Sequence, residues 1–337
     1  MKNLIFKRTF IIAEAGCNHN GKIEIAFKLI DQAKKCGADA IKFQAFNPDD
    51  LVSKKAKIAP YARNKSYKNS QYELQKKISL SLEKFFLLKK YSKKKGIKFI
   101  CSAFDIKSVD ILKKMKLDII KVPSGEINNL PFLNSLKNNT NNLIFSTGMS
   151  SLKEIEFLKK HFFSKYKKKK MSILHCTSSY PCSNENVNLN TINLLKEKFN
   201  VPIGFSDHTT SIDIPSYAVS MGSKIIEKHF TLSKKMKGPD HFMSLNVSEF
   251  KKMVNKIRDT EVILGNFEKK IFNVEKKISK FARKSLVAIE DIFPGDIFNE
   301  MNISIKRPGT GISPMNYYKI LGKKSKRFFK KDSLLKL

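Results

Sequence analysis

Short hydrophobic runs alternate with longer lysine-rich segments between residue 10 and about residue 265. The runs are rich in β-branched and aromatic residues, and the segments between them repeat apolar residues at three- and four-residue steps, which is typical of a parallel α/β fold. Eight runs are predicted strands: residues 10–16, 40–46, 97–104, 119–124, 143–148, 172–178, 203–208 and 225–230. Eight strands that close on themselves favour a (β/α)8 TIM barrel over an open sheet.

The segments between the predicted strands have the period of amphipathic helices. These helices are predicted over residues 23–37, 82–95, 106–115, 151–163, 189–198 and 247–265. The first of them stops at a glycine, as helices commonly do. The stretch from residue 47 to about 79 is long and polar, and we predict a lid or a substrate-facing loop there.

The pattern changes after Gly265. A lysine-rich stretch, residues 266–284, reads as a linker that has room for a helix. Residues 285–337 then show short strands, turn signals at PGD and RPGTG, and no long helix, which predicts a β-rich module near the lower size limit for independent folding. We therefore predict a TIM-barrel catalytic domain over residues 1–265, a linker, and a small second domain.

The net charge of +35 raises the hypothesis of a nucleic-acid-binding protein. Lysine is spread along the whole chain, without a basic helix interleaved with aromatics, so we favour a solvated basic surface that steers anionic substrates. The five cysteines are scattered without metal spacing and are predicted to be reduced thiols. Neither a signal peptide nor a bilayer-length apolar run is recognised, so we predict a cytoplasmic protein with neither nucleic acid nor membrane as a partner.

Most predicted strands end in polar or titratable residues, and in a barrel that end is the catalytic face. His208 and His229 end the seventh and eighth predicted strands, in segments that also contain Asp207 and Glu227. Neutral imidazoles bind Mn²⁺, Co²⁺, Fe²⁺ or Zn²⁺, and two of them leave positions open for water and substrate. A single histidine of this kind is more often structural, but the pair favours a metal site.

A second group of strand-end residues predicts anion binding. Lysines and hydroxyls that converge from several strands can hold a phosphate and a carboxylate together, as phosphoenolpyruvate presents them. These residues are Lys42, Ser102, Lys121, Ser124, Ser146 and Ser206. Glu14, at the end of the first strand, is a candidate acid or base, and the alternative is an ordinary ion pair with Lys42.

Several longer strings closely resemble the sialic acid synthase family of N-acylneuraminate, legionaminate and pseudaminate synthases. They follow the family's order and spacing over nearly the whole chain: FIIAEAGCNHNG, GADAIKFQAF, KVPSGEINNLP, FSTGMS, LHCTSSYP, GFSDHTT, EKHFTL, KGPDH and KRPGTGISP. The last string falls in what resembles the family's antifreeze-like (SAF, β-clip) module. An ordered series of this length is far more specific than any one block.

The resemblance implies condensation of phosphoenolpyruvate with an N-acylated mannosamine-type sugar and water, giving N-acetylneuraminate or legionaminate and phosphate. It also implies a domain-swapped homodimer and a divalent metal, Mn²⁺ in the first place with Mg²⁺ or Co²⁺ as alternatives. His208 and His229 match metal ligands, Glu14 and His229 match catalytic positions, and the six lysines and serines above match positions that hold phosphoenolpyruvate. Positions near the sugar are matched by Gln44, Glu126, Tyr180, Asp240 and Arg307, the last being an arginine that reaches in from the partner's module.

The resemblance also has departures. Ser178 stands where some members have asparagine and Ser102 where many have threonine, while His241 after Asp240 resembles the legionaminate-like branch. KGPDH and RPGTGISP fit the pseudaminate branch poorly. N-acetylmannosamine, its 6-phosphate and a 2,4-diacetamido-6-deoxymannose remain open as the acceptor. The alternatives to this function are another phosphoenolpyruvate-dependent 3-deoxy-ulosonate synthase, a nucleic-acid-binding protein, and a sugar-binding barrel without catalysis.

Overall fold

The computed structural model describes residues 8–58, 70–136, 142–160 and 171–336. Contacts between residues divide the chain into two compact units, Met1–Gly265 and Asn266–Leu337. In the part of the chain that the structure describes, no helix is long and apolar enough to cross a membrane. All five cysteines are buried and free.

Eight parallel strands close into a barrel in the order of the chain. Their bounds are β1 Phe10–Gly16, β2 Ala40–Ala45, β3 Lys98–Ala103, β4 Ile119–Val122, β5 Asn142–Ser146, β6 Met171–His175, β7 Ile203–Asp207 and β8 Ile225–His229. Each predicted strand coincides with an observed strand, with differences only at the ends. The predicted fold class is therefore confirmed.

Helices accompany these strands in the first unit. Their bounds are α1 Ile23–Cys36, α2 Pro48–Leu51, α3 Gln71–Ile78, α4 Lys84–Lys95, α5 Ile106–Lys114, α6 Leu130–Leu136, α7 Leu152–Leu158, α8 Asn190–Lys198, α9 Ile214–Ser220 and α10 Val247–Leu264. Helix α1 ends at Gly37, whose φ of 88° is the left-handed conformation that glycine adopts without strain.

The sequence pattern did not predict α2, α3, α6 or α9. Helices α6 and α9 have seven residues each and contain a proline near the start, so they carry too few turns to show a clear period. The stretch from residue 47 to about 79, predicted as a loop, contains α2 and α3, while its residues 59–69 lie outside the described part. The predicted helix over residues 151–163 is observed as α7, and residues 161–163 are likewise not described.

Successive residues on each strand face opposite sides of the barrel wall, because side chains alternate along a strand. One set points outward into the large core between strands and helices. The other set fills the lower half of the barrel interior with apolar side chains: Phe10, Ile12, Ala40, Ile100, Ile119, Ile144, Leu174 and Ile225. The lower interior is thus a packed core, as in other barrels of this kind.

The second unit contains α11 Asn273–Ala282, β9 Ser285–Ala288, β10 Ile303–Lys306 and α12 Tyr317–Ile320. Strands β9 and β10 pair antiparallel, with Ile303 opposite Ala288. Its core consists of Leu286, Ala288, Ile292, Phe298, Ile303, Ile320, Phe329 and Leu335. The stretch predicted as a linker, residues 266–284, contains α11 and belongs to this unit.

Candidate active site

A cavity of about 420 Å³ lies at the end of the barrel where the strands terminate. Twelve residues that the sequence singled out line it together: Glu14, Lys42, Gln44, Ser102, Lys121, Ser124, Ser146, Tyr180, Ser206, His208, His229 and Asp240. The two-residue period of the strands explains this convergence. On several strands a polar residue follows an inward apolar residue by two positions, as Glu14 follows Ile12, and so faces the same interior, whereas Ser124, Tyr180 and Asp240 reach the cavity from segments after the strands.

Buried charges of both signs form the floor of the cavity. Lys42 Nζ lies 3.3 Å from Glu14 Oε2 and 3.1 Å from Glu227 Oε2. Lys121 Nζ donates to Glu227 Oε1 at 3.0 Å, and Ser206 Oγ donates to the same oxygen at 2.9 Å. We call Glu14, Lys42, Lys121 and Glu227 the floor cluster.

Glu227 is a member of the floor cluster that the sequence analysis did not assign to the site. It precedes His229 by two residues on β8, so the strand period that placed His229 in the cavity places Glu227 there too. That period was the available signal.

The environment separates the pKa values of the two floor carboxyls. Burial raises the pKa of Glu14 to about 7, with Lys42 opposing this and Glu227 adding to it. Burial also acts to raise the pKa of Glu227, but Lys121 and Lys42 together hold that pKa well below its usual range. Two carboxyls whose pKa values differ in this way suit different roles: Glu227 stays ionised, and Glu14 can exchange a proton near neutral pH.

The two lysines of the floor also differ. Burial alone would lower the pKa of Lys42, but Glu14 and Glu227 raise it above its usual value. For Lys121 burial prevails over Glu227, and the pKa is lowered. Nearby, Ser146 Oγ is buried and has no hydrogen-bond partner among the residues described, so a hydroxyl donor is available to an anion.

The two histidines meet at the wall of the cavity. Their ring centroids are 5.7 Å apart. Burial lowers the pKa of His208 to about 4 and lowers that of His229 well below its usual value, so both imidazoles are neutral at pH 7. His208 Nδ1 lies 2.7 Å from the Thr177 carbonyl oxygen, which makes Nδ1 the donor and leaves Nε2 with a lone pair.

This donor set fits a divalent metal that keeps open positions. His229 Nδ1 is buried with no hydrogen-bond partner in the described structure, and a ligated metal would satisfy it. A histidine whose other nitrogen donates to a carbonyl, as His208 does, is the usual arrangement of a metal ligand. Among the residues described, no group of three or more His, Cys, Asp or Glu side chains is placed to hold a metal ion.

The residues predicted near the sugar divide into two groups. Gln44 Nε2 donates to Glu14 Oε1 at 2.8 Å, and the Tyr180 ring lies 4.4 Å from the His208 ring between centroids. Asp240 is half-buried, and desolvation of its carboxylate raises its pKa to about 6. These three residues line the cavity.

Glu126 and Arg307 do not line this cavity. Glu126 lies in a single turn of 3₁₀ helix after β4, where it accepts a hydrogen bond from Asn129 Nδ2 at 2.6 Å. Arg307 lies in the second unit, where its Nε donates to the Ala282 carbonyl oxygen at 3.1 Å.

The outer part of the cavity is lined by residues that the sequence analysis missed. Helix α3 contributes Gln71 and Gln75, and the cavity lining also includes five apolar side chains: Phe46, Leu51, Val52, Phe104 and Met149. The signal was the spacing of Gln71 and Gln75 beside Leu74 and Ile78, which is one turn of helix. It was obscured because α3 is short and lies in a polar stretch.

Two family models match the chain: the NeuB family model matches residues 29–269, and the SAF domain model matches residues 283–337. The chain belongs to the NeuB family. The NeuB match covers β2 to β8 of the barrel and every residue of the cavity lining except Glu14, and the SAF match covers the second unit from residue 283 onward. The predicted resemblance is thereby confirmed.

Known NeuB-type proteins resemble this chain over most of its length. The N,N'-diacetyllegionaminic acid synthase of Campylobacter jejuni is 43% identical over 98% of this chain and 99% of that protein. The synthase of the same name from Legionella pneumophila is 41% identical over 93% of this chain and 89% of that protein. The crystal structure of a sialic acid synthetase from Leptospira borgpetersenii, in complex with citrate, superposes with a TM-score of 0.72 at 35% identity, covering 81% of this chain and 90% of that one.

Proposed function

We propose that this protein condenses phosphoenolpyruvate with an N-acylated mannosamine-type sugar and water to form a nonulosonic acid and phosphate. The observation that carries the proposal is the convergence, in one cavity, of two buried lysines, several serine hydroxyls and two neutral histidines. The relatives named above are legionaminic and sialic acid synthases, which supports a legionaminate or N-acetylneuraminate product. None of these three relatives favours a nucleic-acid-binding protein or another 3-deoxy-ulosonate synthase.

Phosphoenolpyruvate binds at the floor of the cavity in this proposal. Lys42 and Lys121 supply positive charge, and the hydroxyls of Ser102, Ser124, Ser146 and Ser206 donate to the phosphate and carboxylate oxygens. Charge-assisted hydrogen bonds of this kind are about twice as strong as neutral ones. Because the groups are held by strand ends, they stabilise the charge that develops during reaction without having to reorganise.

His208 and His229 hold the divalent metal in this proposal, and Mn²⁺ is the ion proposed first. When bound, the metal supplies Lewis-acid polarisation of the acceptor aldehyde. The two imidazoles stay neutral because they are buried, so they bind the metal without first losing a proton.

The bond changes follow from the two substrates. The methylene carbon of phosphoenolpyruvate forms the new bond with the aldehyde carbon as the C=C and C=O π bonds break, and the aldehyde oxygen gains a proton to become a hydroxyl. Water then adds to the carbon that bears phosphate, and the bond between that carbon and the phosphate oxygen breaks to leave an α-keto acid. Glu14, with a pKa raised to about 7, holds or moves the proton at the reacting hydroxyl, and Gln44 orients its carboxyl.

The sugar lies between Gln44, Tyr180 and Asp240. The resemblance to the family extends the proposal to Glu126 and to Arg307 of the partner subunit in a domain-swapped homodimer, in the cytoplasm.

Co-expression of Arg307→Ala with His208→Ala tests the shared site. If each site takes residues from both subunits, mixed dimers keep one intact site, and activity recovers to about a quarter of the wild-type level. Absence of recovery in verified mixed dimers would contradict the domain swap.

Phosphate release from phosphoenolpyruvate tests the reaction itself. The assay compares N-acetylmannosamine, its 6-phosphate and 2,4-diacetamido-2,4,6-trideoxymannose as acceptors in the presence of Mn²⁺. We expect release that depends on an added sugar and is fastest with one of the three, that stops when a chelator removes the metal, and that His208→Ala abolishes. Release with none of the three from folded protein would overturn the proposed substrate set.

A further inference from the structure

The cavity has two ends of different chemistry. At the floor are the charged groups, and among the described residues that line the cavity Lys42 and Lys121 are the only lysines or arginines. Both are already engaged with Glu14 or Glu227. At the outer end helix α3 contributes the amides of Gln71 and Gln75, and the apolar lining includes Phe46 and Leu51, which belong to the same hydrophobic cluster as Leu74 and Ile78 of α3. A group bound there therefore meets amides and hydrocarbon.

Helix α3 presents the two amides on one face. Gln71 and Gln75 are four residues apart and lie one above the other on the helix. The neighbouring face carries Leu74 and Ile78, which are buried against Cys17, Phe46 and Ile58. Both glutamines are half-buried, and neither side-chain amide makes a hydrogen bond within the part of the chain that the structure describes.

Several contacts fix the position of α3. Ser70 caps its first turn by accepting from the Glu73 backbone N–H at 3.3 Å, and the Gln71 backbone N–H donates to the Ala56 carbonyl at 3.2 Å. Tyr72 donates through its hydroxyl to Asp49 Oδ1 at 2.7 Å, in α2. Groups carried by a packed helix recognise a ligand with more definite geometry than groups on a free loop.

From these observations we infer that Gln71 and Gln75 form the subsite that recognises a second acylamino group on the acceptor sugar. This inference rests on the proposed function. A glutamine amide offers donors and an acceptor, and so complements both the carbonyl and the N–H of an acetamido group. A hydroxyl at the same sugar carbon is shorter and presents one oxygen, while Leu51 and Val52, which line the same cavity, suit methyl groups. The subsite thus favours a diacetamido, 6-deoxy acceptor over N-acetylmannosamine.

The test compares two acceptors with one pair of substitutions. Gln71→Met combined with Gln75→Met keeps side-chain length and removes the amide groups. Because a neutral hydrogen bond contributes roughly 1 kcal/mol, losing both contacts should lower kcat/KM for 2,4-diacetamido-2,4,6-trideoxymannose by about tenfold or more. We expect kcat/KM for N-acetylmannosamine to fall by no more than about twofold, since its shorter hydroxyl at that carbon makes no acylamino contact with the two amides.

Gln32→Met is the matched control, because Gln32 is a half-buried glutamine on α1 that does not line the cavity. It should leave the ratio of the two kcat/KM values unchanged. The double variant with alanine at both positions repeats the test in case methionine perturbs folding, since alanine favours a helix. An equal loss for both sugars, no loss for either, or unfolding of both double variants would overturn the subsite.

The proposed function is judged separately, on the wild-type protein alone. Wild-type protein that releases phosphate with neither sugar would overturn that function and the subsite with it. Wild-type protein that is active, in which the two substitutions leave the preference between the sugars unchanged, would overturn only the subsite.

Discussion

Strands β7 and β8 carry two groups of buried charges on opposite faces of the same wall. Inward, Glu227 belongs to the floor cluster of the cavity and accepts a hydrogen bond from Ser206. Outward, one residue further along each strand, Asp207 and Lys228 form an ion pair at 2.5 Å between the strands and the helices. The two groups share burial and chain position, but differ in how completely their hydrogen bonds are satisfied.

The outer ion pair of Asp207 and Lys228 has its hydrogen bonds satisfied by nearby protein groups. Lys228 Nζ donates to Asp207 Oδ2, to the Thr209 carbonyl oxygen at 2.6 Å and to the Thr209 hydroxyl at 3.2 Å. Asp207 Oδ1 accepts from the Thr209 backbone N–H at 2.8 Å. No donor of the ammonium is left over, so this pair serves the structure.

The floor cluster contains carboxylate oxygens whose hydrogen bonds are not satisfied. Glu14 Oε2 and Glu227 Oε2 lie within ion-pair distance of Lys42, yet neither has a hydrogen-bond partner with good geometry among the residues described. Buried polar atoms in this condition are costly unless something else satisfies them. The difference teaches that burial of charge alone does not mark a functional site, whereas buried carboxylates that line a cavity and have unmet hydrogen bonds point to one.

The largest effect we predict is on stability, from Lys228→Met. This change leaves the Asp207 carboxylate buried without its cation, which typically lowers the free energy of unfolding by about 3–5 kcal/mol. Denaturant unfolding measures it, and kcat/KM of the folded protein should stay close to the wild-type value. Asp207→Leu added to Lys228→Met removes the orphaned charge and should restore part of the loss. A double variant at least as unstable as the single one would contradict this account.

The opposite result is expected at the floor, from Lys121→Met. Glu227 keeps Lys42 and Ser206 as partners, so no carboxylate is orphaned and the free energy of unfolding should change little. The reaction loses a placed cation, and kcat/KM for phosphoenolpyruvate should fall about a hundredfold to a thousandfold. Steady-state phosphate release together with denaturant unfolding would check both halves. A large loss of stability with normal kcat/KM would remove the contrast between the two groups.

Titration of Asp240 predicts that the KM for the sugar depends on pH, which is an effect of intermediate size. Its ordinary pKa of 3.8 is raised to about 6 by burial, so the carboxylate that accepts from the sugar forms only as pH rises through about 6. The KM for the sugar should therefore rise about tenfold for each pH unit below that value. Because the folded state holds this proton more tightly than the unfolded chain, Asp240 opposes folding increasingly as pH rises from 3.8 to about 6.

Asp240→Asn removes the titration at this position. The variant should have a higher KM for the sugar at neutral pH and lack the increase below pH 6 that the wild type shows. Circular dichroism at each pH confirms that both proteins remain folded. The same increase in both proteins would assign the titration to another group.

The smallest effect is expected from Ser206→Ala. The change removes one hydrogen bond to Glu227, which keeps both lysines, so the free energy of unfolding should fall by no more than about 1 kcal/mol. The kcat/KM for phosphoenolpyruvate should fall about tenfold or less, since one hydroxyl donor is lost. Ser172→Ala is the control: Ser172 is a buried serine on β6 without a hydrogen-bond partner in the described structure, and the change should affect neither quantity. Equal losses in both variants would argue against a specific role of Ser206.

Much of the cavity was predictable because strand alternation carries from sequence to structure without distortion. Knowing that Ile12 faces inward is enough to place Glu14, and the same rule covers Lys42, Lys121 and His229. Glu227 obeys the rule as well, since it precedes His229 by two residues on β8. The rule stops where a strand stops: Glu126 follows β4 in a helical turn, so its direction depends on that turn and on Asn129.

Helix α3 shows the other limit. Its eight residues are mostly polar and carry only two buried apolar side chains, so its period is too weak to separate it from a loop. Packing of Leu74 and Ile78 against Phe46 stabilises the helix, and that contact joins residues far apart in the chain. The position of Gln71 and Gln75 at the cavity follows from the same packing.

By itself, the sequence determined the eight-strand barrel, the family and the face of the barrel on which the charged residues gather. These features depend on local periodicity and on the order of motifs, both of which can be read from the sequence. Only the tertiary structure decided which buried charges are satisfied and which are not, because this depends on distances between atoms of different strands. It also decided that amides rather than cations line the outer end of the cavity, since a helix formed by long-range packing brings them there.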